Sequence, residues 1–343
     1  MSDDWRSGED GSEGVLVTVA ASKGSAPREP GAKMLVREHD FDGTIGGGHL
    51  EHRALELARS MLQAGQARRF ERFALGPSLG QCCGGVAWLA FERADASHMA
   101  LLRARRNHDT WRLIALDGEP EWALFDASGA RLAGTPDAPD APYSPYSPVV
   151  DRATRVIEAE GGRRWLFDPI VAPRAHLMLF GAGHVGAAIV RALAELPCRV
   201  TWVDEREALF PPQVPANVTV EATDTPEALV EQAAPGTSFL VMTHSHALDL
   251  RLCHAILSRR AGDWFGLIGS STKRSQFEAR LRQRGVTDAR IADMVCPIGL
   301  PGIGGKAPAV IAASCAAQLL AVWESGQRAA ESAIHLTEQP EYH

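Results

Sequence analysis

The chain is poor in several things, and each scarcity excludes something. No run approaches the roughly 18 consecutive apolar residues of a spanning helix, so none is expected. Six cysteines are scattered through 343 residues. That is too sparse for a disulfide scaffold and suits free thiols in a reducing cytoplasm. No C-x-x-C pair completes a zinc set. Positive charge is also short. Lys and Arg number 35 against 42 Asp and Glu, a formal net charge of −7, which argues against a broad nucleic-acid surface and leaves room for a local anion site. There is no internal repeat. Residues 1–14 are acidic and Gly/Ser-rich with no apolar h-region, so they read as a disordered tail rather than a signal peptide. What remains is an ordinary globular composition long enough for about two domains.

The stretch that organises the rest is His176-Leu-Met-Leu-Phe-Gly-Ala-Gly-His-Val-Gly186. Leu177 to Phe180 reads as a buried parallel strand and Ala187 to Leu196 as a helix. Between them stands G-x-G-x-x-G in the strand–turn–helix context that a dinucleotide fingerprint requires. Gly181 makes the tight turn, Gly183 lets backbone N–H groups approach a phosphate, and Gly186 lets helix and strand pack. His184 begins the helix, whose N-terminus adds orphan donors and a positive dipole end. A second apolar run ends at Asp204, about 18 residues beyond Gly186, near the spacing of a ribose-binding carboxylate. The alternative is a glycine-rich turn kept only for packing.

Ahead of this lie strands at Val15 to Ala20 and Lys33 to Val36, separated by a loop at Ser22 to Gly31. Asp42-Gly-Thr-Ile-Gly-Gly-Gly48 feeds an amphipathic helix, His49 to Gln63, with Leu50, Ala54, Leu57 and Met61 on one face. This second glycine turn can hold an anion or can be a tight turn alone; no Asp follows at the dinucleotide spacing. Strands at Phe70 to Leu75 and Val86 to Phe91 flank Gln81-Cys-Cys-Gly-Gly85. Two readings of that loop stand: a reactive or metal-binding thiol, or a pair of small loop residues. A helix at His98 to Asn107, strands at Trp111 to Leu116 and Trp122 to Asp126, a helix at Arg152 to Ala159 and a strand at Arg164 to Phe167 follow.

After Asp204, strands alternate with helices through to an apolar helix at Ala307 to Trp323, which implies parallel crossovers. The fold expected is α/β: a C-terminal Rossmann-like doubly wound parallel sheet plus an N-terminal mixed α+β domain. Its divisions are 1–14 tail, 15–135 α+β domain, 136–173 linker and connecting segment, 174–326 Rossmann-like domain and 327–343 C-terminal tail.

Ligands should gather at the carboxyl ends of the strands, where three motifs fall. In Thr243-His-Ser-His-Ala-Leu-Asp249, His244 and His246 share a side if the strand continues. They can ligate a metal with Asp249, contact another ligand, or be structural. In Gly266-Leu-Ile-Gly-Ser-Ser-Thr-Lys-Arg274, Ser270, Lys273 and Arg274 open a helix. Cations there oppose the dipole, so an anionic ligand would offset the cost; the alternative is ordinary capping with both cations in solvent. Cys296-Pro-Ile-Gly-Leu-Pro-Gly-Ile-Gly-Gly-Lys306 only superficially suggests a P-loop: Leu300 stands for the first Gly and Ala307 for the magnesium-binding hydroxyl. NTP hydrolysis is rejected, and Lys306 is kept as an anion contact.

These motifs, with Gly24-Ser-Ala-Pro-Arg-Glu-Pro-Gly31 and Ile45-Gly-Gly-Gly-His-Leu-Glu51, occur in an order that resembles the xanthine dehydrogenase accessory protein family, the XdhC/CoxI type, from about Val15 to Trp323. The resemblance implies a cytoplasmic, often dimeric chaperone that carries the molybdenum cofactor (Mo-molybdopterin) as cargo. It implies shielding the cofactor, supporting its sulfuration by a cysteine desulfurase and delivering it to apo-xanthine dehydrogenase. The family's Cys-Gly-Gly points to Cys83, rather than Cys82, as the thiol beside Gly84 that meets the metal; a thiolate suits a soft metal. The cofactor is then expected between the domains, phosphate toward the Rossmann loops and molybdenum toward Gln81 to Gly85. Two other classes remain: an NAD(P)-dependent oxidoreductase using the glycine turn and Asp204, and a metal-dependent hydrolase using His244, His246 and Asp249.

Overall fold

The computed structural model describes residues 5–6, 13–75, 84–138, 153–159, 161–259 and 262–337. It divides into two compact units, Met1–Ala172 and Pro173–His343.

The N-terminal unit holds two five-stranded antiparallel sheets. The first comprises β1 (Gly14–Lys23), β2 (Lys33–Val36), β3 (Phe41–Gly43), β4 (Arg68–Ala74) and β5 (Val86–Ala94), in the order β3-β2-β1-β5-β4. Its helix α1 (Gly48–Ala64) lies between β3 and β4 in sequence. After α2 (Ala96–Ala104), the second sheet takes β6 (Thr110–Ala115), β7 (Trp122–Asp126), β8 (Arg131–Gly134), β9 (Arg155–Glu158) and β10 (Arg164–Ile170), in the order β8-β7-β6-β10-β9. Strand alternation assigns the faces. Val15, Val17 and Val19 pack with Leu50, Ala54, Ala58 and Met61 of α1. Ala20, one step out of phase, packs with Ala90 of its own sheet and with Ile114 and Leu166 of the other.

Three expectations are corrected here. Residues 155–158 form a strand, not a helix; four residues are too few for helical periodicity to declare itself. The segment 136–173 is not only a linker, since β9 and β10 complete the second sheet by pairing with each other and with β6. Nor is the whole of 1–14 a loose tail: Trp5 is half-buried against a core cluster that includes Leu16 and Leu35, because a large apolar ring finds cover even in a polar segment.

The C-terminal unit is a six-stranded parallel sheet of order β13-β12-β11-β14-β15-β16. Its elements are β11 (Ala175–Phe180), α3 (His184–Leu193), β12 (Cys198–Asp204), β13 (Val218–Ala222), α4 (Pro226–Gln232), β14 (Ser238–Val241), α5 (His246–Ser258), β15 (Phe265–Leu267), α6 (Ser271–Gln283), α7 (Asp288–Ala292), β16 (Met294–Val295) and α8 (Pro308–Thr337). Renumbered from β11, the order is three-two-one-four-five-six, that of a dinucleotide-binding Rossmann sheet with its reversal between β11 and β14. Met178 and Phe180 face a layer of α4, α5 and α6. Leu177 and Leu179 face α3 and α8. Helix α8 runs past Trp323 into the segment set apart as a C-terminal tail. Its stretch Pro308–Gly326, of mean hydropathy 1.3, is long and apolar enough to cross a membrane by length and composition. Ala312, Cys315, Ala316 and Leu319 sit in the core of this unit, while 28% of the stretch is buried.

Candidate functional site

At the carboxyl edge of the parallel sheet, the three fingerprint glycines do three different jobs. Gly181 has φ +124°, and a Cβ there would lie 2.4 Å from the Met242 carbonyl oxygen. A Cβ on Gly186 would lie 2.1 Å from the Gly181 carbonyl oxygen, which also accepts the Trp202 indole N–H at 3.0 Å. These two are glycines because the turn folds onto itself. Gly183 is different. Its φ of −74° suits any residue, and a Cβ would meet nothing within 4 Å. It is the N-cap of α3 and provides no side-chain cap, and exposed His184 follows it. The first turn of α3 thus has no side-chain cap at its positive end.

Asp204 is committed elsewhere. Its Oδ2 accepts the Ala182 N–H at 2.7 Å, and its two oxygens receive the Arg206 guanidinium at 2.8 and 2.9 Å. Burial alone would raise its pKa; the Arg206 and Ala182 hydrogen bonds outweigh that and hold it below the usual carboxylate range. In this arrangement Asp204 braces the glycine turn rather than offering both oxygens to a ribose.

The histidine motif does not form a metal site. Strand β14 ends at Val241, so the alternation that would align His244 and His246 is lost. His244 stands 3.5 Å from Glu205, while His246 begins α5 and meets Phe277 edge-on. Among the described residues, no group of three His, Cys, Asp or Glu can hold a metal. Asp249 is fully buried and accepts the Thr243 N–H and hydroxyl at 3.0 and 2.7 Å. Its other oxygen takes the Lys273 ammonium at 2.7 Å, and Lys273 also donates to the Ile268 carbonyl at 2.9 Å. Arg274 pairs with Glu278 at 2.8 Å and donates to the Cys296 carbonyl at 3.0 Å. Ser270 caps α6. Lys273 and Arg274, expected to be in solvent or on an anionic ligand, are thus paired internally: the buried Asp249 carboxylate recruits Lys273, and Arg274 meets Glu278 one turn on along its own helix. Lys306 stays exposed, with no partner among the described residues, in the loop leading into α8, which packs on α3.

In the N-terminal unit, the glycine turn before α1 carries its own anion. Gly46, Gly47 and Gly48 all have positive φ. Glu51 Oε2 accepts from the Thr44 hydroxyl at 2.6 Å and from the Ile45 and Gly47 N–H groups at 3.1 and 3.2 Å. The tight-turn reading therefore holds for this loop. Around it, three motif loops meet. A Cβ on Gly46 would lie 2.3 Å from Pro27, one on Gly24 would lie 3.2 Å from the Gly85 Cα, and one on Gly85 would lie 2.5 Å from the Ser25 carbonyl oxygen. Leu75 N–H donates to the Gly85 carbonyl at 2.8 Å, which closes the base of the β4–β5 loop. Gly84 lies beside that closure; Cys82 and Cys83 lie outside the described residues. The four described cysteines are buried. Burial pushes the Cys198 thiol up to about 11 and Cys315 to about 12, so neither is an available nucleophile.

Sequence reasoning missed a charge cluster inside the β-sandwich. Asp168 on β10 accepts Lys33 of β2 at 2.7 Å, Arg112 of β6 at 3.0 and 2.7 Å, and the Thr154 hydroxyl at 3.1 Å. Arg112 also reaches Glu92 of β5 at 2.5 Å. All four charged groups are buried. Burial would raise the Asp168 pKa, and Lys33 and Arg112 more than reverse this; for Lys33, burial prevails and lowers it.

Comparison with known proteins follows this division. Residues 177–319 match the XdhC Rossmann domain, and residues 8–74 match the XdhC and CoxI family. YqeB of Escherichia coli (strain K12) is 33% identical over 168 residues, 47% of this chain and 30% of that protein, so the match spans under a third of its length. A protein of Bacillus subtilis (strain 168) described as a probable xanthine dehydrogenase subunit is 23% identical over 336 residues, covering 91% of this chain and 94% of that one. A solved structure described as a xanthine dehydrogenase from Bacillus halodurans superposes with TM-score 0.69 at 22% identity, covering 95% of this chain and 96% of the other, a likeness of fold. Matched at its N-terminal region and again through its Rossmann sheet, the chain belongs to the XdhC and CoxI family.

Proposed function

We propose that this chain is an accessory protein for xanthine dehydrogenase that carries the molybdenum cofactor, Mo-molybdopterin, as cargo. It shields the cofactor, supports its sulfuration with a cysteine desulfurase as partner, and delivers it to the apo-enzyme. The observation that carries this reading is the α3 entrance. The first turn of α3 has no side-chain cap, beside an open Gly183, and Asp204 takes the Ala182 N–H just ahead of it, whereas α5 and α6 start under Ser245 and Ser270 caps. A phosphate is the natural occupant of such a helix start, and we assign Lys306, exposed on the loop into α8 and without a partner among the described residues, as its cation. The cargo also brings a soft metal–sulfur centre. Cys83, or its neighbour Cys82, is the thiol we assign to that centre, a donor of matching softness.

The oxidoreductase reading is less supported, because Asp204 is tied to Arg206 and Ala182. The hydrolase reading lacks its metal set among the described residues. Two measurements test the proposal. Gly183→Asp and Cys83→Ser should each lower the molybdenum and pterin captured with the purified chain; unchanged retention in both ends the assignment. Cells lacking the chain should contain xanthine dehydrogenase polypeptide at normal level but without activity. Normal activity, or turnover of NADH by the purified chain, would favour the oxidoreductase.

A further inference from the structure

We infer that Asp168 is a positioning residue for the motif loops of the N-terminal unit, acting through Lys33 and Thr154 to hold the Gly24–Gly31 loop against Gly85. The inference rests on the reading above in one respect: the Gln81–Gly85 segment is where it places the chemistry.

A buried ionic cluster is an expensive way to join two sheets, since apolar side chains of similar volume serve as well or better. The cluster here does something apolar residues would not. Asp168 Oδ2 is fixed by Arg112, itself anchored on Glu92. That half already joins the sheets. Asp168 Oδ1 gathers Lys33 and Thr154, and both of these touch Gly31. Lys33 donates to the Gly31 carbonyl at 2.8 Å. The Thr154 hydroxyl lies 2.9 Å from where a Gly31 Cβ would be. Gly31 has φ +98° and gives its N–H to the Val19 carbonyl. One end of the loop is therefore bolted by its N–H, its carbonyl and its α-carbon. Its other end, Gly24 and Ser25, is pressed on Gly85, the residue whose carbonyl closes the loop base at Leu75. A displacement at Gly31 is transmitted along a loop held at both ends.

The test uses the full-length chain without cargo. Thr154→Val removes the hydroxyl facing Gly31 and leaves Arg112, Asp168 and Glu92 in place, while Thr154→Ser restores the hydroxyl. Lys33→Gln is the second variant. Hydrogen exchange is followed in peptides covering residues 24–31 and 84–86. Iodoacetamide labelling of the peptide containing Cys82 and Cys83 is followed by mass spectrometry; the four described thiols are buried and should stay unlabelled while the chain is folded. In Thr154→Val, exchange in the two loop peptides should rise about tenfold, the equivalent of one lost hydrogen bond. Labelling should rise, by about threefold, as the loop base at Gly85 loosens, with Thr154→Ser restoring both. Wild-type exchange and labelling in both Thr154→Val and Lys33→Gln would overturn the inference. So would exchange that rises evenly across β6, β7 and the loops, the mark of a merely structural role. No readout uses molybdenum or xanthine dehydrogenase, so failure of the cargo assignment would leave this result standing on its own.

Discussion

Two glycine-rich turns open helices in this chain, one before α1 and one before α3, and as sequences they invite the same interpretation. Their structures part at a single residue. Before α1, Glu51 folds back from the first turn and satisfies Ile45, Gly47 and Thr44. Before α3, Gly183 is the cap and no side chain of the helix folds back; Asp204 reaches the turn from β12 but takes the Ala182 N–H, ahead of the helix. Glycine density thus reports how sharply a backbone must turn. Whether a ligand can use the turn depends on whether a nearby acid reaches it first. The signal was readable: an acid placed as in a capping box, three to four residues into the helix, stands at Glu51 and is missing from His184-Val-Gly-Ala.

Perturbing the two turns should separate them further, and the largest effect is expected where packing is tightest. Gly186→Ala forces a Cβ to 2.1 Å from the Gly181 carbonyl and should cost about 3 kcal/mol or more in a denaturant titration. Glu51→Ala strips partners from two N–H groups and a hydroxyl and should cost about 1–2 kcal/mol. In that variant, millimolar inorganic phosphate should raise the melting temperature by occupying the α1 turn; absence of any added shift over wild type would mean the turn is no anion cradle even when emptied. Gly183→Asp is the reverse experiment, giving α3 the acid it lacks. It should gain a few tenths of a kcal/mol in stability, and phosphate should no longer raise its melting temperature. Lys306→Ala should do least, weakening phosphate binding by about 0.5 kcal/mol, with the difference vanishing at high salt.

The C-terminal sheet was legible because its strands are buried on both faces and read as continuous apolar runs such as Leu177 to Phe180. What escaped there was short: β16 has two residues and α7 five, below what periodicity can register. In the N-terminal unit, β9 was lost for the same reason. The commitment of Asp204, Lys273 and Arg274 escaped for a different one. Arg206 for Asp204 and Glu278 for Arg274 stood at readable spacings, but Ala182, Asp249 and Cys296 lie on other elements, and spacing alone says nothing about which of those groups meet. The Asp168 cluster left a trace that went unused. Arg112 and Asp168 each interrupt a largely apolar strand, as in Thr110-Trp-Arg-Leu-Ile-Ala115, and Lys33 opens the apolar run of β2. A charge in such a strand is unsolvated unless a counter-charge is supplied from elsewhere, so each of the three calls for a partner. Lys33 and Asp168 are 135 positions apart, so the pairing itself could not be read from order alone.

Because β6 lies between β7 and β10, the N-terminal unit cannot be cut where its motifs end. A fragment stopping at Thr135 would lose β10, leave Arg112 without Asp168, and present β6 as a bare strand edge, an invitation to edge-to-edge aggregation. A fragment ending at Ala172 keeps both sheets whole, and of the two it is the one that should stay in solution when diluted out of denaturant.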